Sequence, residues 1–164
     1  MGLDWLGERV AAIEALRPVE LEAIRDFTLL WSLFESRVLQ NNANPPRLVG
    51  VVEAWNRSGA LADDPFSKTF AYFQERYFAG GAPTEHYVGL NLRKTDREAE
   101  LRAVLDGSDA SIRGRTLAVF LIVYRYRNNL FHGAKWDYGL ADQFDNFTQA
   151  NAALVIALDR FGEL

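Results

Sequence analysis

The residues best able to do chemistry stand together near the last quarter of the chain. Tyr124-Arg125-Tyr126-Arg127-Asn128-Asn129-Leu130-Phe131-His132-Gly133 puts two arginines, two neutral amides and a histidine directly after the most apolar run, Leu117-Ala118-Val119-Phe120-Leu121-Ile122-Val123. A guanidinium is permanently charged and offers a planar fork of donors, whereas an imidazole gains or loses its proton near neutral pH. Together they can hold a phosphate and move a proton beside it, which is what phosphodiester chemistry requires. On a regular helix, residues three, four and seven apart share a face, so Arg125, Asn128, Asn129 and His132 line up. Arg127 stands about 140° from His132 by the helical period, unless the helix ends or loosens near Phe131, as Gly133 favours. Geometry by itself therefore favours Arg125 as the partner of His132.

The string Arg127-Asn128-Asn129-Leu130-Phe131-His132-Gly133 closely resembles the Arg-x4-6-His signature of the HEPN superfamily, in which a polar residue, often Asn, follows the arginine. The resemblance favours Arg127 over Arg125, because Asn128 follows it. It implies a metal-independent endoribonuclease with no cofactor. His132 would move the proton of the ribose 2'-hydroxyl or of the leaving group, Arg127 would stabilise charge on the phosphate, and Asn128 would orient one of them. The products would be a 2',3'-cyclic phosphate and a 5'-hydroxyl. Arg125, Asn129 and Lys135 are supporting candidates. Glu35 is another, since such domains carry an acidic or polar residue on an early helix facing the motif. The resemblance further implies an RNA substrate, a symmetric homodimer with both motifs in one cleft, and a toxin or phage-defence setting with a possible antitoxin or regulatory partner. Its alternative is a HEPN-like protein without nuclease activity, serving as a nucleotide-binding or dimerisation module.

Composition narrows the field. Residues of hydrophobic type make up 49% of the 164-residue chain, with 4 Trp, 6 Tyr and 11 Phe, enough to build one aromatic-rich core and far too many for a disordered chain. With no cysteine there is no disulfide framework and no thiolate metal site, and the only two histidines, His86 and His132, do not pair as metal ligands. The sequence begins without a secretion-signal pattern and has no apolar run of membrane-spanning length, so a cytoplasmic protein free of the membrane is expected. A net charge of -4 argues against a sequence-independent nucleic-acid coat. It leaves room for a local positive pocket, because Arg113, Arg115, Arg125, Arg127 and Lys135 fall close together.

The elements that must position these groups read as helices, giving an all-α, antiparallel bundle of the HEPN type with additional short helices and a single domain over 1–164. The spacing of Trp5, Leu6, Val10, Ile13 and Leu16 predicts one helix from about Leu3 to Leu16. Pro18 opens a second, running to about Leu39, with Glu20 and Glu22 at its dipole-positive end. Leu21, Ile24, Phe27, Leu30, Trp31, Phe34 and Val38 form its buried stripe. Asn41-Asn42-Ala43-Asn44-Pro45-Pro46 reads as a loop, and Leu48 to Trp55 as a short helix stopped at Ser58-Gly59. Asp63-Asp64-Pro65 reads as caps and a first-turn proline for a helix whose Phe66, Phe70, Phe73 and Tyr77 face the core. Gly80-Gly81-Ala82-Pro83 breaks the chain, Thr84 to Leu92 is a loop or short extended piece carrying a surface His86, and Thr95 caps a helix through Leu105. Ser108 to Ser111 caps the long helix that ends in the motif. After a turn-rich Lys135-Trp136-Asp137-Tyr138-Gly139, a last helix spans Leu140 to Phe161.

Overall fold

A computed structural model describes residues 2–131 and 143–163, and its regular structure is almost wholly helical. The helices are α1 (Gly2–Gly7), α2 (Ala11–Glu14), α3 (Pro18–Arg37), α4 (Pro45–Arg57), α5 (Ser67–Tyr77), α6 (Glu85–Val88), α7 (Glu98–Leu105), α8 (Ile112–Phe131) and α9 (Phe144–Phe161). Between α5 and α6 a two-stranded antiparallel ribbon pairs β1 (Phe78–Ala79) with β2 (Ala82–Pro83). Gly80 and Gly81 make its turn at φ of 61° and 83°, a region that costs glycine little. The break expected at Gly80-Gly81 is thus a hairpin. Among the described residues, no helix is long and apolar enough to cross a membrane.

α8 is the axis of the molecule. Every residue from Leu117 to Val123 is buried, which is where a helix that is apolar all round must sit. α4, α5 and α7 pack against it, and α9 packs along α3. Phe120 gathers three aromatic rings around itself: Phe34 stacked at 5.2 Å, Phe66 at 5.1 Å and Trp55 at 5.6 Å between centroids. Further along, Trp31 lies 6.2 Å from Tyr124, so α3 and α8 run in opposite directions. The α5 aromatic face, Phe70, Phe73 and Tyr77, is buried together with Phe66, and Tyr77 reaches the hydroxyl of Tyr126 at 2.5 Å.

Desolvation of these two phenols raises both pKa values, Tyr77 to about 12 and Tyr126 well above the ordinary value. An acid whose folded pKa is raised binds its proton more tightly folded than unfolded. Stability is therefore full below about pH 10 and falls as pH climbs toward the folded values. Alkaline titration followed by tyrosinate absorbance and circular dichroism is expected to show these two ionising only as the helices melt.

Several local expectations are corrected by tertiary structure. The segment expected as one helix from Leu3 to Leu16 is split, because the chain leaves helical geometry after Gly7 and Val10 is extended at φ −126°, ψ 97°. Asp63 and Asp64 do not cap α5. Asp64 sits at φ 48° and gives its carboxylate to Arg115 at 2.6 Å, while Asp63 receives Arg160 at 2.5 Å. α7 begins at Glu98 rather than after Thr95, following Arg97 at φ 57°. Elsewhere the caps behave as read. Pro18 occupies the first turn of α3, where Glu20 accepts from Arg17 N at 2.8 Å, and Ser111 Oγ accepts from Gly114 N at 2.9 Å. Asn44, read only as part of a loop, in fact caps α4 by accepting from Arg47 N at 2.9 Å. Asn44→Ala is expected to lower unfolding free energy by about 1 kcal/mol in urea titration.

Candidate functional site

The C-terminal half of α8 presents its polar residues in two opposite directions. Two residues apart is about 200° around a helix, so Arg125 and Arg127 cannot share a face. Arg125 points inward with Asn129, and Arg127 points toward α3.

Arg125 is 2% exposed and its guanidinium is spent on the segment between α6 and α7. Nε donates to the carbonyl of Leu90 at 3.0 Å, Nη2 donates to Asn129 Oδ1 at 3.2 Å, and Nη1 lies 3.0 Å from Asp96 Oδ2 as an ion pair without hydrogen-bond alignment. Asp96 is itself 2% exposed and also accepts from Arg93 N at 2.8 Å. Asn129 Nδ2 donates to Leu90 O at 3.1 Å. Burial lowers the Arg125 pKa and the neighbouring Asp96 charge opposes the shift, so the guanidinium remains protonated. This cluster ties residues 89–96 to α8. It has no open face for a substrate.

Arg127 is different in kind. Its side chain is 29% exposed, Nη1 donates to Asn128 Oδ1 at 3.0 Å, and its guanidinium carbon lies 5.4 Å from the Phe131 ring. Across from it Glu35 Oε2 stands 3.8 Å from Nη2 and accepts from Trp31 Nε1 at 2.7 Å. The structure therefore brings Glu35, Arg127 and Asn128 together and sends Arg125 and Asn129 elsewhere. His132, Gly133 and Lys135 lie outside the described residues, as does the turn-rich stretch 135–139. His86 is exposed on α6.

The arginines read as one positive pocket are not pooled. Arg113 pairs with Glu53 at 2.6 Å, Arg115 with Asp64 at 2.6 Å, Arg125 with Asp96 at 3.0 Å and Arg127 with Glu35 at 3.8 Å. Each faces a carboxylate around the circumference of α8, and Arg127 has the loosest pair of these four. The bond that Arg127 donates to Asn128 Oδ1 fixes the guanidinium, Nε is buried without a partner, and Nη2, only loosely faced by Glu35 on a side chain 29% exposed, is the donor that one phosphate could engage. Among the described residues, no group of three or more acidic or imidazole side chains could hold a metal ion.

Sequence reading passed over two neighbours of this site. Trp31 counted only as core, yet its indole N–H orients Glu35, and its i to i+4 spacing from Glu35 was a usable signal. Tyr124 lies three residues before Arg127 and stands half-buried against Trp31. No family model, no curated protein and no solved structure matches this chain.

Proposed function

We propose that the protein is a HEPN-type, metal-independent endoribonuclease. The observation that carries this reading is the state of Arg127: held by Asn128, loosely faced by Glu35 and partly open to solvent, it is an arginine poised to receive a phosphate. The motif assigns proton transfer to His132, which follows Phe131. In the reaction the ribose 2'-oxygen attacks the adjacent phosphorus, the bond from phosphorus to the 5'-oxygen breaks, the base removes the 2'-proton, and the departing oxygen is protonated. Arg127 neutralises charge gathering on the phosphoryl oxygens, for which a fixed bidentate donor is well suited. Glu35, anchored by Trp31, keeps the guanidinium aimed until a phosphate takes its place.

A homodimer with both motifs in one cleft belongs to this proposal. It is supported by an apolar groove of about 750 Å³ between α3 and the end of α8, where Leu29 and Phe131 are 64% and 53% exposed. A toxin or defence role, held in check by an antitoxin or regulatory protein, follows from the same family reading. The competing proposal is a nuclease-silent nucleotide-binding or dimerisation module, favoured by the carboxylate set against each of the four α8 arginines.

The test is direct. Purified protein is expected to cut RNA in the presence of EDTA, and His132→Ala is expected to stop cutting while leaving the helical circular dichroism unchanged. Equal cutting by the variant would trace the activity to a contaminant and remove the proposal. Absence of metal-free cutting by the wild type, with nucleotide binding retained, would favour the silent module.

A further inference from the structure

On the side of the α3–α4 connection lies an open cleft of about 790 Å³, which reaches α8 at Tyr124, three residues before Arg127. It is lined by Tyr124, by the start of α4 and by Thr95. The volume falls within the usual range for small-molecule sites, about 300–1,000 Å³. Helix-terminus chemistry does not explain it. Pro45 and Pro46 have no N–H, and the next donor, Arg47 N, is already taken by Asn44 Oδ1 at 2.9 Å, so the first turn of α4 offers an anion little.

Recognition in this cleft must come from side chains, and those present suit a flat heteroaromatic ring. Half-buried Tyr124 and the exposed ring of Pro46 supply apolar faces on which a base can stack, Pro45 being buried beneath them. Asn42 and Asn44 supply amides: Asn44 Oδ1 accepts from Arg47 N and Asn44 Nδ2 donates to Asn42 Oδ1 at 2.6 Å, which orders the exposed Asn42 amide with its Nδ2 donors and a second lone pair on Oδ1 left for a base edge. Arg47 is braced by its Nε donating to Leu39 O at 3.2 Å. The link to the phosphate site is short. Tyr124 is three residues before Arg127, about 4.5 Å along the helix axis, and its ring lies against Trp31, the residue that orients Glu35 opposite Arg127.

We infer that this cleft is a nucleobase-binding subsite, receiving one base of a single-stranded RNA whose neighbouring phosphate is held at Arg127. The inference rests on the ribonuclease reading and adds to it a source of base preference in Asn42, Asn44 and Tyr124. Its discriminating power is set by amide contacts to the base edge, so loss of an amide loosens preference and leaves phosphate binding in place.

The test uses the four dinucleotides that carry 2'-deoxyribose on the 5' side of the phosphate, which cannot be cleaved by 2'-attack, with 2-deoxyribose 5-phosphate as the base-free probe. Binding to the full chain is read by calorimetry. At least one dinucleotide is expected to bind tenfold or more tighter than the base-free probe. Asn42→Ala, at an exposed position, and Tyr124→Leu, which keeps apolar packing on Trp31, are each expected to erase most of that difference. Equal binding of all five probes, or a preference untouched by both variants, would overturn the subsite. Cleavage assays separate the two proposals. If both variants cut RNA with the wild-type base preference while Arg127→Ala does not cut, the subsite falls and the nuclease stands. If dinucleotides bind in an Asn42-dependent way and RNA is never cut, the nuclease falls and the base site stands.

Discussion

Arg127→Ala is expected to reduce RNA cleavage by about 10²- to 10³-fold, the usual consequence of removing one donor aimed at developing transition-state charge. The fold should persist at a cost of about 1–3 kcal/mol, because the buried Asn128 Oδ1 loses its donor. Arg127 is partly exposed and its ion pair with Glu35 is long, at 3.8 Å, so its loss leaves no tightly paired buried charge behind. Arg127→Lys is expected to recover only part of the rate, because an ammonium is a point charge and cannot present two parallel donors to a phosphate. Single-turnover cleavage in EDTA, with thermal melts of each variant, measures both statements. A folded variant that still cuts at the wild-type rate would remove Arg127 from the chemistry. Induction of each variant in growing cells gives a coarser version of the same comparison.

Asp96→Ala is expected to have the opposite profile, a large loss of stability with the chemistry intact. Arg125 and Asp96 are each 2% exposed and lie 3.0 Å apart, so deleting the carboxylate strands a guanidinium away from water. Breaking such a pair costs about 3–5 kcal/mol, more than the pair itself contributes over a well-packed apolar replacement. The backbone adds to the effect, since Asp96 also accepts from Arg93 N and helps hold residues 89–96 against α8. Urea titration is expected to show the lowered midpoint. Cleavage per folded molecule, measured at low temperature, is expected to stay near the wild-type value because Arg125 faces away from Arg127. A loss of stability below about 1 kcal/mol would mean that the pair is solvated and the cluster is not a structural tie.

These two arginines also show what a sequence can and cannot give. The seven successive apolar residues of α8, Leu117 to Val123, would suit a buried strand as well as a helix, and the length of the segment and its neighbours favoured helix, whereas the aromatic stripes of α3 and α5 were legible from their spacing. Which of the two motif arginines of α8 is buried and which is partly open was not. Periodicity aligned Arg125 and Asn129 with His132, but the partners that draw them inward, Leu90 O and Asp96, come from a segment some 30 residues away in which no pattern announces a buried ion pair. Resemblance, not spacing, pointed to Arg127.

The same cause lies behind the local corrections. Asp63 and Asp64 have the composition of helix caps, but Arg160 and Arg115 reach them through the tertiary fold and outcompete the α5 backbone. The polar Asn41-Asn42-Ala43-Asn44 stretch read as a plain loop, and only the packing of α3, α4 and α8 makes it the wall of a cleft. Glu35 is the instructive middle case. Its place on the early helix was legible, and its contact with Arg127 required the opposed packing of α3 and α8.

The central claim is that RNA is cut through its own 2'-hydroxyl, without a metal, at the phosphate held by Arg127. The most direct measurement uses a DNA strand containing a single ribonucleotide, incubated with the protein in EDTA and resolved by mass spectrometry. The account predicts scission only at the phosphate following that ribonucleotide, leaving a 2',3'-cyclic phosphate and a 5'-hydroxyl. Scission elsewhere in the strand, products with a 5'-phosphate, or no scission of this strand by protein that cuts RNA when metal is restored would contradict it.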